Sequence, residues 1–434
     1  GPTSVGGGDV RALNRRAPTA RTRARLRSLP MRVVVAAVGS RGDVVPLCHL
    51  AARLSGRGHD VTLVTHGTYA DLVPPGIDLI SVPSDPAELM AGPAASAVRA
   101  GSVRALNRTR EVFADFLHAA AEPARRALEG AGVLIASTFA LAPVHEALVL
   151  GVPVVRAHMW PEYEGLSGPM PLLPYSWRLP APGRRVARAA LRAMEKYLAG
   201  LDGWWAGGRL HLVARHPVGL TTATLGSLHA YSPVVAPGSP PGGLVTGWWT
   251  GGAPTALSQP VEEALARGGD WVHVGFGSMH QGDPEQLLDA LGVACDRVGV
   301  NAIVQLGAAR GTPHPRLLCV GAEPHGTLFP RVLGVVHHGG AGTTGAVVRA
   351  GVPSVVAPHF ADQFYWGHRL RTLGVAARPV PRLFLSGRVL GHVLEDALAP
   401  VRIARARRLA DRVRPEDGTG RAAEQVERWL ERRS

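Results

Sequence analysis

With 434 residues and 46% hydrophobic content, the chain can bury a substantial core and should make two or three domains. No apolar run reaches the roughly 18 residues of a membrane-spanning helix. Three scattered cysteines (Cys48, Cys295, Cys319) with no C-x-x-C support neither a disulfide framework nor a zinc knuckle, so a reducing cytoplasm fits best. The net charge of +14 would point to nucleic acid if it covered the fold, but residues 1–30 hold seven arginines against Asp9 alone, and no nucleic-acid partner is expected.

In chain order, residues 1–30 come first. They have almost no large apolar side chains to offset their ordering entropy, and read as a basic disordered leader. Their Arg-rich, acid-poor composition also suits transient contact with a membrane surface. Folded sequence begins at Met31: an apolar run (31–38), a Gly-containing turn, a periodic helix ending near Gly56 or Gly58, and a second run (61–65). Further strands are predicted at 79–82, 132–136 and 152–155. Continuous Val-rich strands alternating with helices mark a parallel sheet covered on both faces, so residues 31–235 form a doubly wound α/β domain.

The stretch 233–258 is rich in Pro and Gly and has no periodic segment; residues 236–258 are assigned as an interdomain linker. A second α/β unit, 259–415, follows with strands at 271–276, 301–306, 317–320, 333–337 and 353–357 and helices at 284–298 and 343–350. Residues 416–434 predict a C-terminal helix packing back on the first domain. Two Rossmann-like, doubly wound parallel-sheet domains then face each other across a cleft lined by the loops beyond the carboxyl ends of the strands.

Those loops hold the polar residues that chemistry needs: "GSRGDVVP" with Asp43, "GFGSMH" with Ser278, "HHGGAGTTG" at 337–345 and "PHFADQ" ending in Asp362 and Gln363. In the third, Gly339, Gly340 and Gly342 allow close backbone approach, and a helix opening near Thr343 presents free N–H groups and a positive dipole end, an anion site that His338 and the hydroxyls of Thr343 and Ser278 can join. The plain alternative is that Thr343 or Thr344 caps the helix and the histidines pack in the sheet. Gly340, Gly342 and Gly345 also satisfy G-x-G-x-x-G, with Asp362 twenty residues beyond Gly342, as in a nicotinamide dinucleotide site. Against that reading, the turn lies late in its domain, the acid is paired with Gln363, and the opposite domain offers its own Asp at its first turn.

"VGSRGDVVPLCHLAARLSGRGHDVTLVT", "VTGWW", "VHVGFGSM", "LFPRVLGVVHHGGAGTTGAVVRAGVPSVVAP" and "ADQFYWGHRL" together resemble the two-domain GT-B glycosyltransferases of family 1, in particular the bacterial natural-product and sterol glucosyltransferase branch, over residues 31 to about 375. The resemblance implies an inverting, metal-independent enzyme that moves a sugar from a uridine or thymidine diphosphate donor to a small, largely apolar acceptor, with the nucleotide sugar as co-substrate and no cofactor, as a monomer or homodimer. It assigns Asp43 as the base. The donor diphosphate falls to Ser278, His338, Gly342 and Thr343, with Gly340 and Ala341 in the same turn, and the donor sugar to Asp362 and Gln363. The acid that supports the base in plant relatives aligns near Ser137 or Thr138, so no dyad is expected. The acceptor is expected in the first domain near Arg41, His158, Trp160 and Tyr163. No D-x-D occurs, and no metal site is expected. A nucleotide-sugar epimerase of the same fold is the alternative.

Overall fold

The computed structural model describes residues 30–91, 115–162, 170–191, 218, 222–238, 240–252, 255–277, 283–307 and 309–433. Ser278, Tyr163 and nearly all of the leader lie outside these residues.

The first half contains β1 (Arg32–Ala37), α1 (Arg41–Ser55), β2 (Asp60–His66), β3 (Asp78–Val82), α2 (Ala121–Leu128), β4 (Val133–Ser137), α3 (Leu141–Leu150), β5 (Val154–His158), β6 (Gly226–His229) and β7 (Gly243–Val245). Its strands form one parallel sheet in the order β3-β2-β1-β4-β5-β6-β7. The unbroken apolar run of β1 has a simple cause. Val33, Val35 and Ala37 enter the core on one face, Val34 and Ala36 a second core on the other, and all five are fully buried.

The second half contains α4 (Gln259–Ala266), β8 (Trp271–Gly275), α5 (Pro284–Val298), β9 (Asn301–Gln305), β10 (Gly311–His314), β11 (Leu317–Val320), β12 (Gly334–His337), α6 (Ala341–Ala350), β13 (Ser354–Val356), α7 (Gln363–Thr372), α8 (Gly387–Ala397), α9 (Pro400–Val413) and α10 (Gly418–Glu431). The sheet order is β10-β11-β9-β8-β12-β13, parallel except for the β10–β11 hairpin. Strand order reverses between β1 and β4 in the first sheet and between β8 and β12 in the second, so each half has its ligand crevice at the loops carrying the candidate residues. Among the described residues no helix is long and apolar enough to cross a membrane.

Three sequence expectations need correction. The stretch assigned as a linker contributes β7, which pairs with β6 and extends the first sheet to Val245; strands of only four and three residues leave too little pattern to read. The hairpin strand β10 lies in polar, exposed sequence and gave no apolar signal. Helix α6 starts at Ala341, not near Thr343, with Gly340 as its N-cap, so neither Thr343 nor Thr344 caps it.

The halves are joined by more than the chain connection. One apolar cluster contains Val35 and Leu47 from the first half, Trp248 and Trp249 after β7, and Trp366 and Leu370 of α7. A Cβ at Gly345 would lie 2.8 Å from the Trp248 ring, so the last glycine of the G-x-G-x-x-G pattern serves to let that indole lie against α6. Helix α10 lies against α1, where Arg57 donates two hydrogen bonds to Glu427 (2.7 and 2.6 Å) and His59 lies 3.2 Å from the same carboxylate.

Candidate active site

The chain leaves β1 through Gly39, at φ 139°. A side chain there is also forbidden by space, since a Cβ would lie 2.6 Å from Asp43 Oδ2. The Gly39 N–H donates to His66 Nε2 (3.1 Å), and His66 Nδ1 lies 2.9 Å from the Ser84 carbonyl; burial keeps this imidazole's pKa below its ordinary value, and the proton belongs on Nδ1. Ser40 is the N-cap of α1, and its N–H and Oγ–H both donate to Asp43 Oδ2, at 2.9 Å each. Asp43 is thus the third helical residue rather than the cap, and its other oxygen, Oδ1, makes no hydrogen bond among the described residues. The side chain is only 6% exposed, and burial raises its pKa from 3.8 to about 6 against the lowering effect of Ser40.

Among the described residues, neither residue aligned with the plant supporting acid hydrogen-bonds to Asp43. Ser137 Oγ ties β4 to β1, accepting from Val38 N–H (3.0 Å) and donating to Val38 C=O (2.7 Å), and Thr138 Oγ1 is 3.0 Å from His158 Nδ1. Ser40 takes the positioning role instead. Its signal, S-x-x-D before an apolar helix, stands in the sequence at 40–43.

Across the cleft, His337 at the end of β12 accepts from the Gly339 N–H (3.1 Å), which fixes the turn, and Gly339 has φ 92°. A Cβ at Gly340 would overlap His338 Nε2, so this glycine makes room for the imidazole. His338 also neighbours Gly277, whose Cβ position is 3.5 Å from His338 Cε1. Burial first, then His359 and His325, lowers the His338 pKa to about 4, and its Nδ1 is buried without a hydrogen-bond partner among the described residues. At neutral pH it is an uncharged ring with one N–H to give. The first intrahelical bond of α6 runs from Thr344 N–H to Gly340 C=O (2.9 Å), which leaves the N–H groups of Ala341, Gly342 and Thr343 outside the helical ladder. Gly340 has no side chain to cap them, Gly342 is exposed, and among the described residues nothing lies within 4 Å of a Cβ placed on it.

Beyond β13, Ala361 adopts φ 52°, a left-handed conformation costly for a residue with a Cβ, and delivers Asp362 and Gln363 to the start of α7. Gln363 Oε1 accepts from the backbone N–H groups of His359 (2.8 Å) and Phe360 (3.3 Å), so only its amide N–H groups remain for a ligand. The indole of Trp366, one helical turn on, donates to Asp362 Oδ2 at 3.0 Å. Burial first, then the charge of Asp43, raises the Asp362 pKa from 3.8 to about 7. Trp366 is fully buried between Tyr231 and Trp248, with ring centroids 5.9 and 6.4 Å away.

The expected acceptor residues divide. Arg41 opens α1 as an exposed residue, and its charge reaches across to lower the pKa of His325, the first residue of a short helix (His325–Leu328) after β11. It therefore faces the second half. Trp160 is 5% exposed, donates to Glu162 (3.1 Å) and packs 6.0 Å from Phe139, so it is core rather than cleft wall. His158 is fully buried, 5.1 Å from the His229 ring, and borders a cavity of about 430 Å³ with Glu162 and residues 222–227 and 240–242. The structure brings together Asp43, Asp362, Gln363, His338 and the 340–343 turn; it does not bring His158 or Trp160 to them.

With this geometry in hand, comparison with known proteins is informative. Residues 33–163 match the family model of the glycosyltransferase family 28 N-terminal domain, and residues 297–398 that of the erythromycin biosynthesis protein CIII-like C-terminal domain. A sterol 3-beta-glucosyltransferase of Cryptococcus neoformans var. neoformans is 30% identical over 93% of this chain, which spans only 27% of that relative's length. The crystal structure of the glycotransferase of kitacinnamycin superposes with a TM-score of 0.70 at 21% identity, covering 93% of this chain and 100% of the other. That of a Streptomyces sp. SF2575 glycosyltransferase complexed with thymidine diphosphate does so at 0.60 and 19%, covering 92% and 99%. At these identities the two structures speak for the shared GT-B fold.

Proposed function

Because the chain belongs to the family 1 glycosyltransferases, we propose that it transfers a sugar, with inversion, from a uridine or thymidine diphosphate donor to a hydroxyl of a small, largely apolar acceptor such as a natural product, sterol or lipid aglycone. The observation that carries this reading is the opposition of a buried carboxylate with a free oxygen, Asp43, to an uncapped helix N-terminus flanked by His338 and Asp362. Relatives named for glucosyl transfer to sterols, and a structural neighbour complexed with thymidine diphosphate, support the two substrate classes.

In this reading Asp43 Oδ1 accepts the acceptor hydroxyl's proton as that oxygen bonds to the anomeric carbon, while Ser40 holds Oδ2 and so sets the carboxylate's direction. General base catalysis of this kind is worth ~10²–10⁴ in rate. The bond from the anomeric carbon to the diphosphate oxygen breaks on the opposite face, and its electron pair stays with the nucleotide. The N–H groups of residues 341–343 and the His338 N–H meet the charge that develops there, and one such fixed donor is worth roughly 10²–10³. Asp362 and the Gln363 amide take sugar hydroxyls. These groups serve a diphosphate without a metal or a cofactor.

A thermal-shift screen of nucleotide sugars, followed by transfer assays on the responding donor with sterol and polyketide acceptors, tests the proposal. Saturation at 100 times Kd should add about 2.7 kcal/mol of stability. Donor epimerisation without transfer to any acceptor would favour the epimerase reading and overturn this one.

A further inference from the structure

A second cavity, of about 360 Å³, lies where residues 175–178 of the first half meet α7 and residues 378–381 of the second. Its walls are apolar and aromatic. Trp177 stacks on His368 with centroids 4.3 Å apart and planes 9° from parallel, and Tyr175 meets Phe364 edge-on at 5.2 Å. Tyr175 is held in a left-handed conformation, φ 59°, a strained arrangement of the kind found at ligand clamps. Three arginines line the cavity as well, Arg178, Arg371 and Arg378, all exposed. Arg178 lies 5.0 Å from the Tyr175 ring centroid, and among the described residues no ion pair engages any of the three. Burial first, then the charges of Arg369, Arg371 and Arg178, holds His368 below the ordinary histidine range.

An apolar slot of this size, lined by unpaired arginines, matches a ligand that is part ring or chain and part anion. We propose that this cavity binds a small apolar anion, an aromatic or alicyclic carboxylate or phosphate, whose ring lies against Trp177, Tyr175 and Phe364 and whose charge meets Arg371 and Arg378. The loop 358–364 walls the cavity with Pro358 and Phe364 and carries Asp362 and Gln363 between them, so the anion sits beside the proposed sugar site without using its residues.

Calorimetric titration of the full chain with 2-naphthoate and with uncharged 2-naphthalenemethanol tests the site. The carboxylate should bind at least roughly fivefold tighter, as expected for a charge-assisted hydrogen bond only partly shielded from water. Arg371→Ala/Arg378→Ala should erase that preference while leaving the melting temperature and nucleoside diphosphate binding unchanged, and Trp177→Ala should weaken both probes. Equal binding of the two probes, or a preference that survives in the double arginine variant, would overturn the proposal. The binding titrations measure no transfer, so their result is independent of the proposed activity. If naphthoate inhibits transfer competitively with the acceptor, the anion is the acceptor's own; binding without inhibition marks a separate ligand. Both outcomes support the site.

Discussion

Asp43, three residues into the first helix of the first half, and Asp362, at the first residue before α7 in the second, lie close enough that the charge of one raises the pKa of the other. More than 300 residues separate them in sequence. In the proposed reaction they belong to the two substrates' sides, Asp43 to the acceptor hydroxyl and Asp362 to the donor sugar.

Asp43→Asn should keep donor binding and lower turnover at least ~10²-fold, because an amide cannot take the proton at neutral pH. Ser40→Ala, which removes one of the two bonds to Oδ2, should lower turnover by less and leave donor affinity unchanged. Initial rates with calorimetry check both; near-normal turnover in the asparagine variant would remove Asp43 as the base.

Turnover should rise with pH through about 6, where Asp43 loses its proton. Stability runs the other way. Both acids have folded-state pKa values above the ordinary 3.8, so their contribution to stability is present below pH 4 and is lost as pH rises through about 6 for Asp43 and about 7 for Asp362. Asp362→Asn should therefore be more stable than the parent at pH 8, by about 1–3 kcal/mol, with no difference near pH 4. Thermal melts at the two pH values decide it, and a variant less stable at pH 8 would contradict the burial cost.

Gly342→Val should fold, since its Cβ meets open space, yet lose donor binding because the side chain occupies the place assigned to the phosphates. Its melting temperature separates the two effects. His338→Ala should weaken a nucleoside diphosphate more than the bare nucleoside; equal losses would move the imidazole away from phosphate.

Transfer should persist in excess EDTA, and nicotinamide dinucleotides should not compete with the sugar donor, since the turn follows the fifth strand of its half and its last glycine packs on Trp248. Activity that EDTA abolishes and Mg²⁺ restores would overturn the metal-free mechanism.

The paired parallel sheets were legible because strands covered on both faces read as unbroken apolar runs, as at 33–37 and 334–336. The short strands β6 and β7 at one end of the first sheet were not, being too short to show a pattern. At the site, the glycine turn and the Asp-Gln pair stood out because close backbone approach and polar residues after apolar strands leave marks on the sequence. Trp366 escaped notice: its indole bond to Asp362 uses an i, i+4 spacing, and its aromatic neighbours Tyr231 and Trp248 come from distant segments. Trp160 misled, because an aromatic after a strand suits a cleft wall as well as a core and only packing separates them.

The return of the last helix to the first half bears on engineering. Donor and acceptor preferences invite recombination of halves between relatives at the junction after β7, but Glu427 belongs to the partnership with Arg57 and His59, and Trp429 fills the space beside Gly226. A hybrid cut once would pair α10 from one parent with α1 from the other. The productive exchange takes two crossovers, one after Val245 and one before Asp417, so that the final helix is inherited together with the surface it was shaped to cover.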